Sequence, residues 1–288
     1  MKTKVITGII AAIFGITMVA LMFTPVFTTA LACFTLLANY ELLHATGVKN
    51  KAVYVLTTIP AAGMPFILTY DLAQYSPIPV IGIILVYVFV LLLMMLARYE
   101  ETRFEHISMA IVSSLLVPYV MSLLCEIRDF FPDAPRSTRG FLMLFALICA
   151  WITDAMAYFT GVKLGKHKMA PKISPKKSWE GAIGGVIGNI IVNLIIYAVY
   201  YALYRIGWIE RLLFPLWLLP ILSAFLSVIG MLGDLSASVI KRNYGVKDYG
   251  FIMGEGNGGV MDRFDSGIFV IGAMYVLLLV YQAAGLHF

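Results

Sequence analysis

Nine stretches of about 20 mostly apolar residues follow one another along this chain. They lie at about 5–23, 26–43, 52–70, 78–97, 107–125, 140–160, 182–203, 212–232 and 265–284. Each is long enough to cross the roughly 30 Å of a bilayer's hydrocarbon as a helix. In hydrocarbon every backbone N–H and C=O must be satisfied inside the chain, and a helix does this segment by segment. The pattern predicts an all-α polytopic integral membrane protein with about nine transmembrane helices. Only 13% of the 288 residues are charged, against roughly 25% in a soluble domain. Mean hydropathy is +0.89, and no stretch remains for a soluble domain. Cys33, Cys125 and Cys149 have neither metal-ligand nor disulfide-framework spacing. They read as small apolar packing residues. The four histidines are equally dispersed, so no zinc site is expected.

Loop charge sets the orientation. With the amino terminus inside, sixteen of the 21 lysines and arginines fall in inside segments and five in outside loops. The expected topology is a cytoplasmic amino terminus and an external carboxyl terminus. The first segment, after Lys2 and Lys4, has the look of a signal peptide, but it lacks a convincing small-residue cleavage site. It reads as a retained helix, joined to the second span through Thr24 and Pro25 as a tight hairpin. Pro60, Pro65 and Pro118 are expected to kink their spans. No internal repeat marks an inverted-repeat transporter.

The most unusual polar stretch is Gly233 to Ser266. It places Asp234, Asp248, Asp262 and Asp265 among Lys241, Arg242, Lys247 and Arg263, with a glycine-rich run from Gly254 to Gly259. Fixed charge beside a bilayer is costly, so the cluster is a candidate functional site. The ingredients suit phosphate chemistry. Carboxylates hold hard cations such as Mg2+, lysine and arginine hold phosphate oxygens, and glycines let backbone N–H groups approach phosphate. A solvated loop that only sets topology is the plainer alternative. Asp234, Ser238 and Lys241 recur at i, i+4 and i+7, one polar stripe if the eighth span stays helical past Gly233. Asp262 and Asp265 share one face of the ninth span's first turn, as capping groups or as a cation site. The glycine run alone is a weak signal, and no Walker A sequence is present.

A second stretch, Trp151 to Gly181, lies on the same predicted side. Asp154 sits inside the sixth span and shares a helical face with Tyr158 and Gly161. An intramembrane acid there is either a helix–helix hydrogen-bonding group or part of a site. Six lysines lie between 163 and 177 and would bind anionic headgroups even without chemistry. The Ser174–Gly181 segment asks for more. Ser178 is placed to cap the next helix, with Lys176 and Lys177 near a helix start that favours phosphate. Trp179 suits the membrane interface.

These residues carry a resemblance. Ser238 to Arg242, Lys247-Asp248, and Gly258-Gly259-Val260-Met261-Asp262-Arg263-Phe264-Asp265 resemble the signature of the phosphatidate cytidylyltransferase (CDP-diacylglycerol synthase) family, as do the Asp154 segment and SPKKSWEG. The specific motifs cover about 140–285. The chain departs from the family at Asn257, where a histidine is usual. Asn donates and accepts hydrogen bonds but does not titrate near neutrality.

The resemblance implies transfer of CMP from CTP to phosphatidic acid at a cytoplasm-facing site of a multi-pass plasma-membrane enzyme, with Mg2+ or Mn2+ and room for a second cation. Apolar length and loop charge give an N-terminal region 1–139 of about five spans and a region 140–288 of about four, with cytoplasmic loops 161–181 and 233–264, and the resemblance makes the second region the catalytic one. Asp234, Asp262 and Asp265 are the expected metal ligands. Lys241, Arg242, Lys247 and Arg263 are expected on phosphates, with Asp234 and Asp248 beside them. Lys176, Lys177, Ser178, Ser238, Asn257, Gly258, Gly259 and Asp154 are expected to line the substrates. The bilayer is the other partner; no nucleic acid is expected, and a homodimer is left open. A CTP-dependent lipid kinase and an ion-coupled transporter are the alternatives, separated by product analysis and by flux without nucleotide.

The charge asymmetry makes the topology testable. Single cysteines introduced near Lys168 and Gly250 are expected to label from the cytoplasm, and one near Asp133 from outside. Labelling of the 133 and 168 positions from one side would rule the nine-span topology out.

Overall fold

A computed structural model describes residues 15, 17–209, 215–250 and 258–285. Among these, eight helices are long and apolar enough to cross a membrane: α1 (Pro25–Ala45), α2 (Lys51–Thr69), α3 (Val80–Ala97), α4 (Phe104–Asp129), α5 (Arg136–Leu164), α6 (Trp179–Arg205), α7 (Leu218–Asn243) and α8 (Met261–Ala283). The expected span at 5–23 lies largely outside the described residues. Its last residues, 17–20, are helical, and the chain then turns through 21–24. Pro25 opens α1 at a position where its missing N–H costs nothing.

The three prolines sit differently in their helices. Pro60 and Pro65 lie within a continuous α2. Before Pro118 the helix widens into a π turn, Val112–Leu116. Pro118 has no N–H to give to the preceding turn. Ser114 occupies that turn, its hydroxyl donating to Ala110 O at 2.5 Å and meeting Tyr87 Oη at 2.6 Å. The second bond ties α3 to α4. α3 is otherwise peripheral, with Leu91 its one buried residue.

α5 runs through the core, where Leu142, Met143, Phe145 and Cys149 are almost fully enclosed. Cys125 is buried as well, whereas Cys33 is exposed, so the packing role expected of all three cysteines holds for two. α6 lies close against α5 because glycines face it. A Cβ at Gly185 would stand 3.0 Å from Thr153 O and from Ala157 Cβ. Polar side chains then bind helix to helix, as is usual where lipid supplies no hydrophobic drive. Thr153 donates to Ser227 Oγ at 2.8 Å, and Asn189 donates to the same hydroxyl at 2.8 Å. A second set joins α1, α2 and α4: Asn39 donates to Thr57 at 3.1 Å and accepts from Ser113 at 2.8 Å.

Four helix ends extend beyond the expected apolar stretches. α5 continues to Leu164 and α6 begins at Trp179, so the connection there is 165–178 and shorter than the expected loop. It folds into an antiparallel hairpin, β1 (Lys168–Ala170) and β2 (Ser174–Ser178), the one departure from all-helical structure among the described residues. α7 runs past Gly233 to Asn243, and α8 starts at Met261. These extra turns are polar, and their side chains find partners across helices.

Substituting Gly185 tests the α5–α6 contact. Gly185→Leu is expected to destabilise the protein by about 1–3 kcal/mol through overpacking against a backbone carbonyl. Gly63→Ala is expected to be near neutral, since the added carbon meets only Ile67 at 3.9 Å. Thermal unfolding in detergent measures both.

Candidate active site

α8 begins with two carboxylates on one face, and α7 answers them with a cation. Lys241 is buried, and its Nζ donates to Asp262 Oδ1 at 2.9 Å and Asp265 Oδ2 at 3.4 Å. The Tyr249 ring lies 5.2 Å from the same ammonium, a distance at which its π face attracts a cation. Asp262 has a second task. Its Oδ2 accepts the backbone N–H groups of Tyr249 and Gly259, each at 2.8 Å. One side chain therefore joins the two ends of the 249–259 segment. At its base the chain approaches itself so closely that a Cβ at Gly250 would strike the backbone of Gly258 and Gly259. Gly258 has φ +71°, in the left-handed region that glycine adopts without steric cost.

Two further acids come from neighbouring helices. Asp154 on α5 accepts from Ser266 Oγ at 2.6 Å. Asp234 on α7 lies 2.5 Å from Lys177 Nζ, carried on β2. Asp154, Asp234 and Asp265 stand within electrostatic reach of one another. Counted as ionised, four carboxylates meet two ammonium groups.

The hairpin is fastened at both edges. Ser178 caps α6 by accepting from Gly181 N at 3.1 Å, and Gly161 of α5 leaves room beside the same hydroxyl. Glu180 accepts from Lys166 N at 3.1 Å and from His167 N at 3.2 Å. Across the gap, Arg242 at the end of α7 donates to Ile173 O and Val246 O, each at 3.3 Å.

The residues singled out in the sequence thus divide. Asp154, Lys177, Asp234, Lys241, Asp262 and Asp265 are gathered into one cluster. Ser238 is buried on the α7 face between Asp234 and Lys241, and Ser178, Gly258 and Gly259 border the cluster. Lys176, Arg242, Lys247 and Asp248 are exposed. Arg263 is also exposed, and its carbonyl accepts from Trp151 Nε1 at 3.3 Å. Tyr158, expected on the Asp154 face, is exposed while Asp154 turns inward. Asn257 lies outside the described residues.

Three residues were missed. Ser266 holds Asp154. Tyr249 packs on Lys241, and its hydroxyl donates to Ala237 O at 3.3 Å; burial, then the nearby Asp262 and Asp265, raise its pKa so that it stays protonated. Glu41 on α1 is wholly buried and accepts from Val260 N at 3.0 Å and Met261 N at 2.9 Å. Its signal was present, since it is an acid inside an apolar span.

Among the described residues no three carboxylate, histidine or cysteine side chains already converge on one coordination point. Lys177 and Lys241 stand among the acids instead. The donors are nonetheless hard oxygens on four carboxylates, the chemistry that suits Mg2+ or Mn2+.

Fold and site together define a multi-pass membrane protein with a polar, ion-paired centre at its helix ends. A model described as the cytidylyltransferase family matches residues 2–281, and the chain belongs to that family. A phosphatidate cytidylyltransferase of Bacillus subtilis is 32% identical over 287 residues, 98% of this chain and 99% of that protein. One from Staphylococcus saprophyticus is 35% identical over 144 residues, 50% of this chain and 51% of its own length.

The pair between hairpin and helix is open to a double-mutant cycle. Lys177→Met and Asp234→Asn are each expected to destabilise the fold, and the double variant less than their sum. A coupling of about 1–3 kcal/mol is expected for partners in contact, read from unfolding in detergent. Additive effects would show that the pair does not hold the hairpin.

Proposed function

We propose that this chain is a CTP:phosphatidate cytidylyltransferase that makes CDP-diacylglycerol and pyrophosphate. The observation that carries the reading is its similarity to the Bacillus subtilis phosphatidate cytidylyltransferase along nearly the whole of both chains. A phosphate oxygen of phosphatidate attacks the α-phosphorus of CTP, one P–O bond forms, and the bond to the leaving pyrophosphate breaks. The nucleophile is already an anion, so the reaction needs no strong base. Its difficulty is bringing anions together, which is a matter of positioning and charge.

The clustered side chains take roles to match. Lys177 and Lys241 bind phosphate oxygens by exchanging carboxylate partners for them. Lys176, Arg242, Lys247 and Arg263 sit at the rim, where they attract CTP from water and the lipid phosphate from the leaflet. Asp248 is a rim acid, and Ser178, Ser238, Asn257, Gly258 and Gly259 border the substrates. The site faces the cytoplasm of the plasma membrane, in keeping with the sixteen inside cations. Asp234, Asp262 and Asp265, with Asp154 beside them, would hold a divalent cation. Bound there, it would neutralise the charge that four carboxylates and two substrates bring together.

The deciding experiment incubates purified protein with labelled CTP, phosphatidate and Mg2+. CDP-lipid plus pyrophosphate supports the reading; CDP plus a newly phosphorylated lipid would replace it with a lipid kinase. Asp262→Asn and Asp265→Asn are each expected to lower turnover about a hundredfold or more, as loss of several kcal/mol of transition-state stabilisation does. Near wild-type turnover with unchanged Mg2+ dependence in both would defeat the metal assignment.

A further inference from the structure

We propose that Glu41 is a positioning residue for the reaction, setting the start of α8 from the other half of the molecule. The inference rests on the proposed cytidylyl transfer. Four N–H groups at any helix start have no partner within the helix. At α8, two neighbouring ones, Val260 N and Met261 N, are answered by one carboxylate, an oxygen each, at 3.0 and 2.9 Å. A planar group held by two successive amides fixes translation and rotation of that turn together. Gly259, the residue before them, has no space for a side chain, because a Cβ would run into both Glu41 oxygens.

The segment is thus gripped from two directions. Asp262 holds Gly259 N and Tyr249 N, and Glu41 holds the next two amides. Asp262, Arg263 and Asp265 follow within four residues of Met261. Glu41 rides on a firm support, since its neighbour Asn39 is bonded to Thr57 of α2 and Ser113 of α4. A residue 219 positions away in sequence therefore determines where the α8 acids stand. Misplacement of a reacting constellation by about 1 Å costs on the order of a hundredfold in rate.

Glu41→Gln keeps the size but turns an NH2 group toward one of the two amides. In the full-length protein in lipid-containing detergent micelles, kcat is expected to fall about tenfold or more with KM for CTP within about threefold, the pattern of lost transition-state positioning. Amide hydrogen exchange at Val260 and Met261 is expected to quicken about tenfold or more, with the α1–α2 amides unchanged. A kcat within twofold of wild type overturns the proposal, as does faster exchange throughout α1 and α8, which marks general loosening. Should Glu41→Gln fail to fold, Gly259→Ala presses on the same carboxylate from α8's side. It is expected to reproduce the fall in kcat, and wild-type kcat in that variant overturns the proposal. If the wild-type protein makes no CDP-lipid, the functional reading fails, and exchange at Val260 and Met261 alone decides whether Glu41 sets the helix start.

Discussion

A charge set against hydrocarbon must be matched by an opposite charge or by hydrogen-bond donors, and the arrangement of α5, α7 and α8 depends on how this is done. Lys241 bridges Asp262 and Asp265, and Lys177 meets Asp234. Lys241 joins α7 to α8 and Lys177 joins β2 to α7, so each pairing draws two elements together. The polar stripe on α7 can stay helical beyond its apolar stretch because its carboxylate and ammonium find partners on β2 and α8 rather than in water. Deeper in the bundle the same requirement is met by neutral groups, with Thr153, Asn189 and Ser227 closing on one another.

This pairing gives the two halves of the chain different work. α5 to α8 carry the clustered acids and bases. α1, α2 and α4 are joined by Asn39, Thr57 and Ser113 and present Glu41 to the first turn of α8. The N-terminal half is thereby more than a hydrophobic anchor, because an element of the site ends on its side chain. α3, with a single buried residue, has no comparable role within one chain.

Much of this was legible where the physics is local. Apolar length announced the spans, the spacing of Asp234, Ser238 and Lys241 announced one face of α7, and Ser178 ahead of Gly181 announced a cap. The hairpin was not legible, because its short strands are polar and take their order from what they are fastened to. Tyr249 was hidden because nothing in its neighbours' pattern says it will lie under Lys241. Glu41 shows a different limit. As an acid in an apolar span it met the same criterion that singled out Asp154, but its partners are backbone amides in the distant 259–261 segment. Backbone donors have no sequence signature. Asp262 likewise looked like a metal ligand or cap from its spacing; its grip on Tyr249 N and Gly259 N is a contact between loop ends that only the folded chain reveals.

On the proposed function, the cluster also constrains how phosphate would enter it. Four carboxylates against two ammonium groups form a poor anion site, since an incoming phosphate meets more negative charge than positive. On the proposed reading, two changes make it a good one. Lys177 and Lys241 must exchange carboxylate partners for phosphate oxygens, and the acids so released need another cation. A divalent ion suits that vacancy because hard carboxylate oxygens are its preferred ligands. The ammonium–carboxylate pairs then act as a resting arrangement that keeps the helix ends together until substrate and cation arrive. Asp262 is the acid least able to leave its place, being bonded to two amides as well as Lys241. Asp234 and Asp265 have fewer fixed partners and more freedom to change them. On that reading, backbone hydrogen bonding makes Asp262 the fixed point about which the other acids and the two lysines would rearrange.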